Sequence, residues 1–202
     1  MTINNTIETV IFDLDGTLYK KKGMVFKIIF RLWWCLPLLI AEQKVRKELC
    51  QQAFVTQEAF YEAFFSRIAK GSWCTPHMAR VWYKTIYLPT MVQVIKWYHK
   101  PRKSALLLLN ECKERGIKTV LFSDYEFVED KLKALGIDPS LFTLRTDAPT
   151  MGGLKPNKAV IQSLLDRVGA NPKTTLFVGD RDDKDGESAR AVGAHFLNIT
   201  KE

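Results

Sequence analysis

Asp13 and Asp15 stand two residues apart, directly after the apolar run Thr9-Val10-Ile11-Phe12. Two carboxylates where a buried strand ends are costly unless they hold a cation or carry out chemistry. Further along, Ser123 closes the run 118–122, and Asp180 follows Thr175-Leu176-Phe177-Val178-Gly179. Lys155 lies between the two, in Met151-Gly152-Gly153-Leu154-Lys155-Pro156. Gathered together, acids, one lysine and one hydroxyl would suit Mg2+ and a phosphate group. Mg2+ takes a few carboxylates and keeps waters or phosphate oxygens as its other ligands. The lysine would offset phosphate charge as a point cation.

The elements that must gather these residues alternate. A strand over 9–12 precedes a helix over 104–115 stopped by Gly116, then a strand over 118–122. A helix reaching Leu135 stops at Gly136, and a short strand is expected over 141–144. A helix over 158–168 is closed by Gly169, and a strand over 175–178 follows. A helix over 187–192 stops at Gly193, before a last strand over 195–197. The pattern predicts an α/β fold, a Rossmann-like parallel sheet with helices on both faces. Ligands of such sheets bind beyond the carboxyl ends of the strands. Asp13, Asp15, Ser123 and Asp180 all fall there.

In this order the residues resemble the motifs of the haloacid dehalogenase superfamily, mostly Mg2+-dependent phosphatases and phosphotransferases. The matching residues are Asp13-Leu14-Asp15-Gly16-Thr17, then Ser123, then Lys155, then Gly179-Asp180 with Asp185. The resemblance covers 7–19 and 104–198. It implies Asp13 as the nucleophile that forms an aspartyl-phosphate and Asp15 as general acid, then base. It implies Ser123 and Lys155 on the phosphoryl oxygens, with Thr17 and Asp124 beside them. Mg2+ would be held by the Asp13 side chain, the Asp15 backbone carbonyl and Asp180, with Asp185 in support. Asp183 is the runner-up for that support, and Asp182 is expected to be a solvated loop charge. Members that displace halide or pump ions lack a carboxylate at the position of Asp15. The resemblance therefore implies phosphomonoester hydrolysis, with a phosphotransferase or mutase as the alternative. Asp124 stands where Asn is more usual, and Tyr19 leads into Lys20-Lys21-Lys22 where acidic or polar residues are more usual. No particular substrate is carried over.

The chain has 202 residues, 47% apolar and 26% charged, which suits one domain with a sizeable insertion. That balance excludes a disordered chain, a collagen-like repeat and a disulfide-stapled mini-protein. Cys35, Cys50, Cys74 and Cys112 include no Cys-x-x-Cys pair, so free thiols in a reducing compartment are expected. The first residues, MTINNTIETV, lack a basic stretch followed by an apolar one, so no secretory signal is expected. A cytoplasmic protein is the expectation, with peripheral membrane attachment as an option.

That option comes from residues 20–103, which hold 16 of the 30 Lys and Arg but only 4 of the 22 acids, a net +12 against −4 elsewhere. This segment reads as helical throughout. Thr56 caps a helix reaching Ala69 with Gly71 just past its end, Thr75-Pro76 starts another, and Pro37, Pro89 and Pro101 interrupt. The resemblance implies a mobile helical cap here, 20–103, over a core of 1–19 and 104–202. Its first helix, expected over 24–41, carries Lys27, Arg31 and Pro37, too interrupted for a membrane span. Packing inside the cap is the ordinary expectation for it. The alternative is an anionic membrane interface, with Phe26, Phe30, Trp33 and Trp34 as anchors and Lys20 to Lys22 on head groups. Trp82, Tyr83, Tyr87, Trp97 and Tyr98 recur among Arg80, Lys84, Lys96 and Lys100. At helical spacing they read as a core stripe with a solvated basic face, rather than a nucleic-acid site. His77 and His99 are expected at the surface. A basic, aromatic cap suits a phosphorylated partner such as a phosphotyrosine side chain, a nucleotide, a sugar phosphate or a lipid phosphate. A non-catalytic module docking on an anionic membrane or a partner protein is the alternative of a different class.

Overall fold

The computed structural model describes residues 3–201. Five parallel strands form one sheet in the order β3-β2-β1-β4-β5. They are β1 (Thr9–Phe12), β2 (Lys118–Ser123), β3 (Leu144–Asp147), β4 (Thr175–Gly179) and β5 (His195–Asn198). All of β1 is buried, as a central parallel strand must be. Its alternating side chains divide two cores. Val10 and Phe12 join Leu108 and Leu109 of α6 (Lys103–Glu114) and Leu132 of α7 (Val128–Leu135). Ile11 faces the other way, onto Ile161 and Leu165 of α8 (Lys158–Val168) and Ala189 of α9 (Glu187–Val192). The registers Phe12↔Leu121 and Phe12↔Val178 set Asp13 at the carboxyl edge, between the ends of β2 and β4.

The expected strand over 141–144 is displaced to Leu144–Asp147. Pro139–Leu141 is instead a 3-10 turn, held by the Ser140 backbone N–H donating to Asp138 Oδ1 at 2.9 Å. β3 lies at the sheet edge and carries Arg145, Thr146 and Asp147, so no apolar run marks it.

Between β1 and α6 lies a block of helices: α1 (Met24–Arg31), α2 (Leu36–Leu49), α3 (Gln57–Ser72), α4 (Pro76–Trp82) and α5 (Leu88–Tyr98). The chain leaves and returns side by side. Tyr19 bridges Pro101, and the Arg102 guanidinium donates to the backbone oxygens of Gly16 at 2.7 Å and Thr17 at 3.0 Å.

The single helix expected over 24–41 is two. A 3-10 turn at Trp33–Cys35 separates α1 from α2, with an 84° bend. Pro37 sits in the first turn of α2, where its missing N–H breaks no bond. Among the described residues no single helix is long and apolar enough to cross a membrane. Nor is α1 packed away as expected: only Met24 and Ile28 are buried, while Phe26, Phe30 and Trp33 are 73%, 74% and 72% exposed.

Helix α3 outruns its expected end and contains Gly71. A Cβ there would stand 3.2 Å from Ala41 Cβ, so the glycine serves the close approach of α3 to α2 rather than a stop. Trp73 takes the left-handed closing position instead, at φ 59°. Thr56 and Thr75 cap α3 and α4 as expected, accepting from Ala59 N–H at 3.1 Å and Met78 N–H at 3.2 Å. A wide π-type turn, Tyr83–Tyr87, joins α4 to α5 ahead of Pro89. Tyr83 and Tyr87 are buried against Phe64 and Trp82, the expected core stripe, while Trp97 and Tyr98 stay exposed under Arg31. His99 is half-buried, not a surface residue, with Nδ1 2.8 Å from the Lys20 carbonyl and its ring edge-on to Tyr19.

Candidate active site

The carboxyl edge of the sheet collects the expected residues around one cavity of about 510 Å³. Asp13 Oδ1 accepts from Lys155 Nζ at 2.6 Å, and its Oδ2 accepts from the Thr17 hydroxyl at 3.0 Å. Lys155 Nζ also donates to Asp185 Oδ1 at 2.7 Å, so one buried ammonium spans two carboxylates from different strand ends. Asp180 completes a set of three: one oxygen each from Asp13, Asp180 and Asp185 lies within 4.8 Å of the others.

Two glycines make room for these acids. Gly16, at φ 110°, adopts backbone that side chains avoid, and a Cβ there would collide with the Asp180 carboxylate. A Cβ on Gly179 would collide with Asp185. Burial pushes Asp13 up to about 6, with Asp185 and Asp15 adding to the rise against the pull of Lys155. Burial and then Asp13 likewise raise Asp180. Three crowded hard oxygens, two of them reluctant to ionise, are a donor set that Mg2+ fits and relieves.

A sign follows for metal binding. The folded protein holds the Asp13 proton more tightly than an unfolded chain does. Ionising Asp13 therefore disfavours the fold increasingly between pH 3.8 and about 6, and fully above that. A cation displaces this proton. Mg2+ affinity is expected to be level above pH 6 and to fall by about tenfold per unit below it. Calorimetric titration at pH 5, 6 and 7.5 checks this, and affinity flat across that range would contradict it.

The side chain of Asp15 turns away from the acidic set. Its Oδ2 accepts from Lys131 Nζ at 2.6 Å and from the Ser123 hydroxyl at 3.2 Å, and its Oδ1 accepts from the Tyr19 hydroxyl at 2.7 Å. Burial alone would raise its pKa. Lys131, then Lys21, and the hydrogen bonds from Lys131 and Tyr19 outweigh burial and hold it below the ordinary carboxylate value.

Asp124, expected beside the phosphate, is occupied otherwise. It accepts from the Lys155 backbone N–H at 2.9 Å and from Lys184 Nζ at 2.7 Å. Against burial, Lys184 and Lys155 pull it down to about 2. A fixed carboxylate adds no attraction for an anion, and its place here is as a brace for the loop that carries Lys155. Asp182 and Asp183 are exposed and paired with Arg190 and Arg181, outside the acidic set.

Sequence reasoning missed three residues. Lys131 is fully buried on α7. Its position, three residues after Val128 and four before Leu135, lies on the apolar face of that helix, which was the available signal. Tyr19 donates its hydroxyl to Asp15, a role that its place in the sequence, ahead of Lys20-Lys21-Lys22, does not mark. Arg46, also buried, reaches from α2 to the Asp124 carbonyl at 3.0 Å and lies 3.8 Å over the Tyr125 ring, fastening the helical block to the sheet. Glu42 and the Tyr83 hydroxyl hold its other nitrogens.

This geometry meets known proteins at several points. Haloacid dehalogenase-like hydrolase domain-containing protein 3 of Bos taurus is 26% identical over 143 residues, 70% of this chain and 52% of that protein. The chain thus spans about half the length of that curated relative. Three solved structures share the fold. A predicted phosphoglycolate phosphatase from Haemophilus somnus has a TM-score of 0.61 at 19% identity, covering 96% of this chain and 85% of that one. The L-2-haloacid dehalogenase of Xanthobacter autotrophicus has 0.63 at 15%, covering 97% and 78%. A HAD phosphatase from Thermococcus onnurineus has 0.58 at 16%, covering 96% and 86%. The model of the haloacid dehalogenase-like hydrolases, a hydrolase family, matches residues 7–193, nearly the whole length over which the strands and their site residues are laid out, and the chain belongs to that family.

Proposed function

We propose that the chain is a Mg2+-dependent phosphomonoester hydrolase acting through an aspartyl-phosphate on Asp13. The observation that carries this reading is the pairing of two differently held carboxylates at one strand end. Asp13 faces Lys155 and the acidic set, and Asp15 faces Lys131 and two hydroxyls.

Asp13, Asp180 and Asp185 would hold the cation, with the Asp15 backbone carbonyl. When bound, Mg2+ supplies the positive charge that lets a phosphate approach a carboxylate. Lys155 supplies a second positive charge on the same side. Thr17 fixes the Asp13 carboxylate, so that one oxygen is presented to phosphorus while the other keeps its hydrogen bond. The Ser123 hydroxyl, which accepts from the Tyr125 backbone N–H at 3.0 Å, is placed to turn its proton from Asp15 to a phosphoryl oxygen. Asp15 is held ionised by Lys131. An incoming anionic phosphoryl group opposes that lysine and raises the affinity of Asp15 for a proton. Asp15 then takes up a proton from solvent as the ester binds, gives it to the leaving alkoxide, and later takes one from the water that cleaves the Asp13 ester. Residues 20–103 would act as the cap, with Arg46 and Lys21 on the cavity wall opposite Asp13.

A panel of phosphate esters assayed for released phosphate tests the reading. Release is expected with Mg2+, lost in excess chelator and poorly restored by Ca2+, whose longer and more numerous bonds spoil the in-line geometry. No release across the panel from folded, Mg2+-loaded protein, or full release in chelator, would defeat it.

A further inference from the structure

We infer that the ester this site takes is amphipathic, a phosphate monoester on an alkyl or acyl chain, with the chain lying in an apolar groove between α1 and α2. The inference rests on the phosphomonoesterase reading for its head group and on separate observations for its tail. The groove, of about 420 Å³, is walled by Val25, Ile28, Ile29, Leu36, Leu39 and Ile40. Its size is that of an ordinary ligand site, about 300–1,000 Å³. It shares Val25, Ile28, Gln43, Lys47 and Tyr87 with the cavity that holds Asp13, so the groove is continuous with that cavity, along Val25 and Ile28 on the apolar side and past Gln43 and Lys47 on the polar side. It lies at the 84° bend between α1 and α2, and no side chain among the described residues fills it.

The polarity of the groove narrows the occupant. Among the described residues Gln43 is its one uncharged polar side chain besides Tyr87, whose hydroxyl is turned to Glu42 at 3.5 Å, and Lys44 and Lys47 are its charges. A sugar or nucleoside would bury hydroxyls and ring nitrogens there with almost nothing to satisfy them. A hydrocarbon chain loses nothing. Lys47 lines both the groove and the cavity that takes the anionic head group, and among the described residues no acid lines the groove to oppose it.

The other faces of α1 agree with a substrate that resides in a membrane or micelle. Phe26 and Phe30 point to solvent, and Trp33 extends that surface into the turn. Lys27 and Arg31 lie apart from the groove, over the rings of Tyr98 at 5.2 Å and Trp97 at 4.9 Å. Apolar anchors beside basic residues are what an anionic lipid surface takes.

The test is a chain-length series. Alkyl phosphates from ethyl to decyl, kept below their micelle concentrations, are assayed for kcat/KM, and ethyl- and decylphosphonate are titrated calorimetrically into the Mg2+-loaded protein. Both measurements are expected to improve about two- to fourfold for each methylene the groove buries, with the kinetic gain mainly in KM. Ile40 lines the outer groove and is 60% exposed, so its replacement spares the core. Ile40→Asp is expected to cut the decyl-to-ethyl ratio at least tenfold. Ile40→Trp, which fills the groove, should shorten the longest chain that still gains. Hydrolysis and binding both indifferent to chain length would overturn the groove while leaving the phosphomonoesterase reading in place. Graded phosphonate binding without hydrolysis of any ester would support the groove while defeating that reading. A dimer that Ile40→Asp dissociates, with chain-length dependence absent, would make the occupant a second copy of the chain and overturn the proposal.

Discussion

Asp13→Asn yields a folded protein whose phosphate release is lower by on the order of 10⁴-fold or more. Asn keeps the shape of Asp and can still accept from Thr17, but its amide is a poor nucleophile toward phosphorus and a weaker partner for a cation. Lys155 is not stranded, because Asp185 retains its ion pair at 2.7 Å. Stability moves the other way from activity. In the metal-free protein the Asp13 carboxyl is pushed up from 3.8 to about 6, so above pH 6 its ionised form weighs against folding. A neutral isostere removes that penalty, a gain of about 1–3 kcal/mol at pH 8 that vanishes near pH 4, where Asp13 is itself protonated. Chelated samples unfolded in urea at both pH values measure it. Beryllium fluoride should form a species at Asp13 in the wild type and none in the variant. A well-folded Asp13→Asn protein that still hydrolyses esters at a substantial rate would sink the nucleophile assignment.

Lys131→Met is expected to cost about 3–5 kcal/mol, because it leaves the buried Asp15 carboxylate without its ammonium partner. The depressed pKa of Asp15 sets the sign: the pair's contribution is present above the ordinary carboxylate pKa and is lost as acid protonates Asp15. The destabilisation should therefore be large at pH 7 and shrink toward pH 3. Asp15→Asn added to Lys131→Met should recover much of the stability and none of the activity, since it removes the stranded charge together with the proposed acid. In the single variant the alkaline limb of the kcat/KM profile, which falls as the proposed acid loses its proton, should move to higher pH, as Asp15 loses the cation that holds it ionised. Urea titrations of both single variants and the double variant test the coupling. Strictly additive costs would mean that the 2.6 Å contact carries no energy of its own.

The sequence made the sheet legible wherever strands are buried on both sides. β1, β2 and β4 carry the apolar runs Val10-Ile11-Phe12, Val120-Leu121-Phe122 and Leu176-Phe177-Val178, and Asp13, Ser123 and Asp180 stand at or just beyond the strand ends. Asp13, Asp15, Ser123 and Asp180 could be expected together because strand ends in a parallel sheet converge, whereas the place of Asp185 among them was implied only by the resemblance to the haloacid dehalogenase superfamily. The edge strand β3 was misplaced because it is half polar, and polarity there has no cost. The break between α1 and α2 was missed because an apolar stretch with one proline reads equally well as one helix or two. Which face of α1 would be covered was not legible either. Lys131, Tyr19 and Arg46 eluded a linear reading for another reason. Lys131 and Arg46 act on groups far off in the sequence, Tyr19 on Asp15 four residues before it through the turn of the chain, and a charged or phenolic residue among apolar neighbours reads first as a solvated exception. Lys131 meets Asp15 across 116 positions and Arg46 meets Asp124 across 78.

The order of the strands carries a consequence for how the chain comes into being. β1 is the middle strand of five and the first to be synthesised, and both of its neighbours lie beyond the helical block. Roughly a hundred residues separate it from β2, an interval on the order of 5–20 s at about 5–20 residues per second on the ribosome. During that time six α-helices, α1 to α6, can emerge and pack locally, while Thr9-Val10-Ile11-Phe12 waits with both edges unpaired. Its pairing must then close a very long loop, which makes assembly of the sheet slow compared with that of the helices. The nascent chain therefore passes through a stage in which the helical block has formed while β1 is still adhesive, and the strand that bears the chemistry is the one most in need of shelter until Lys118 arrives.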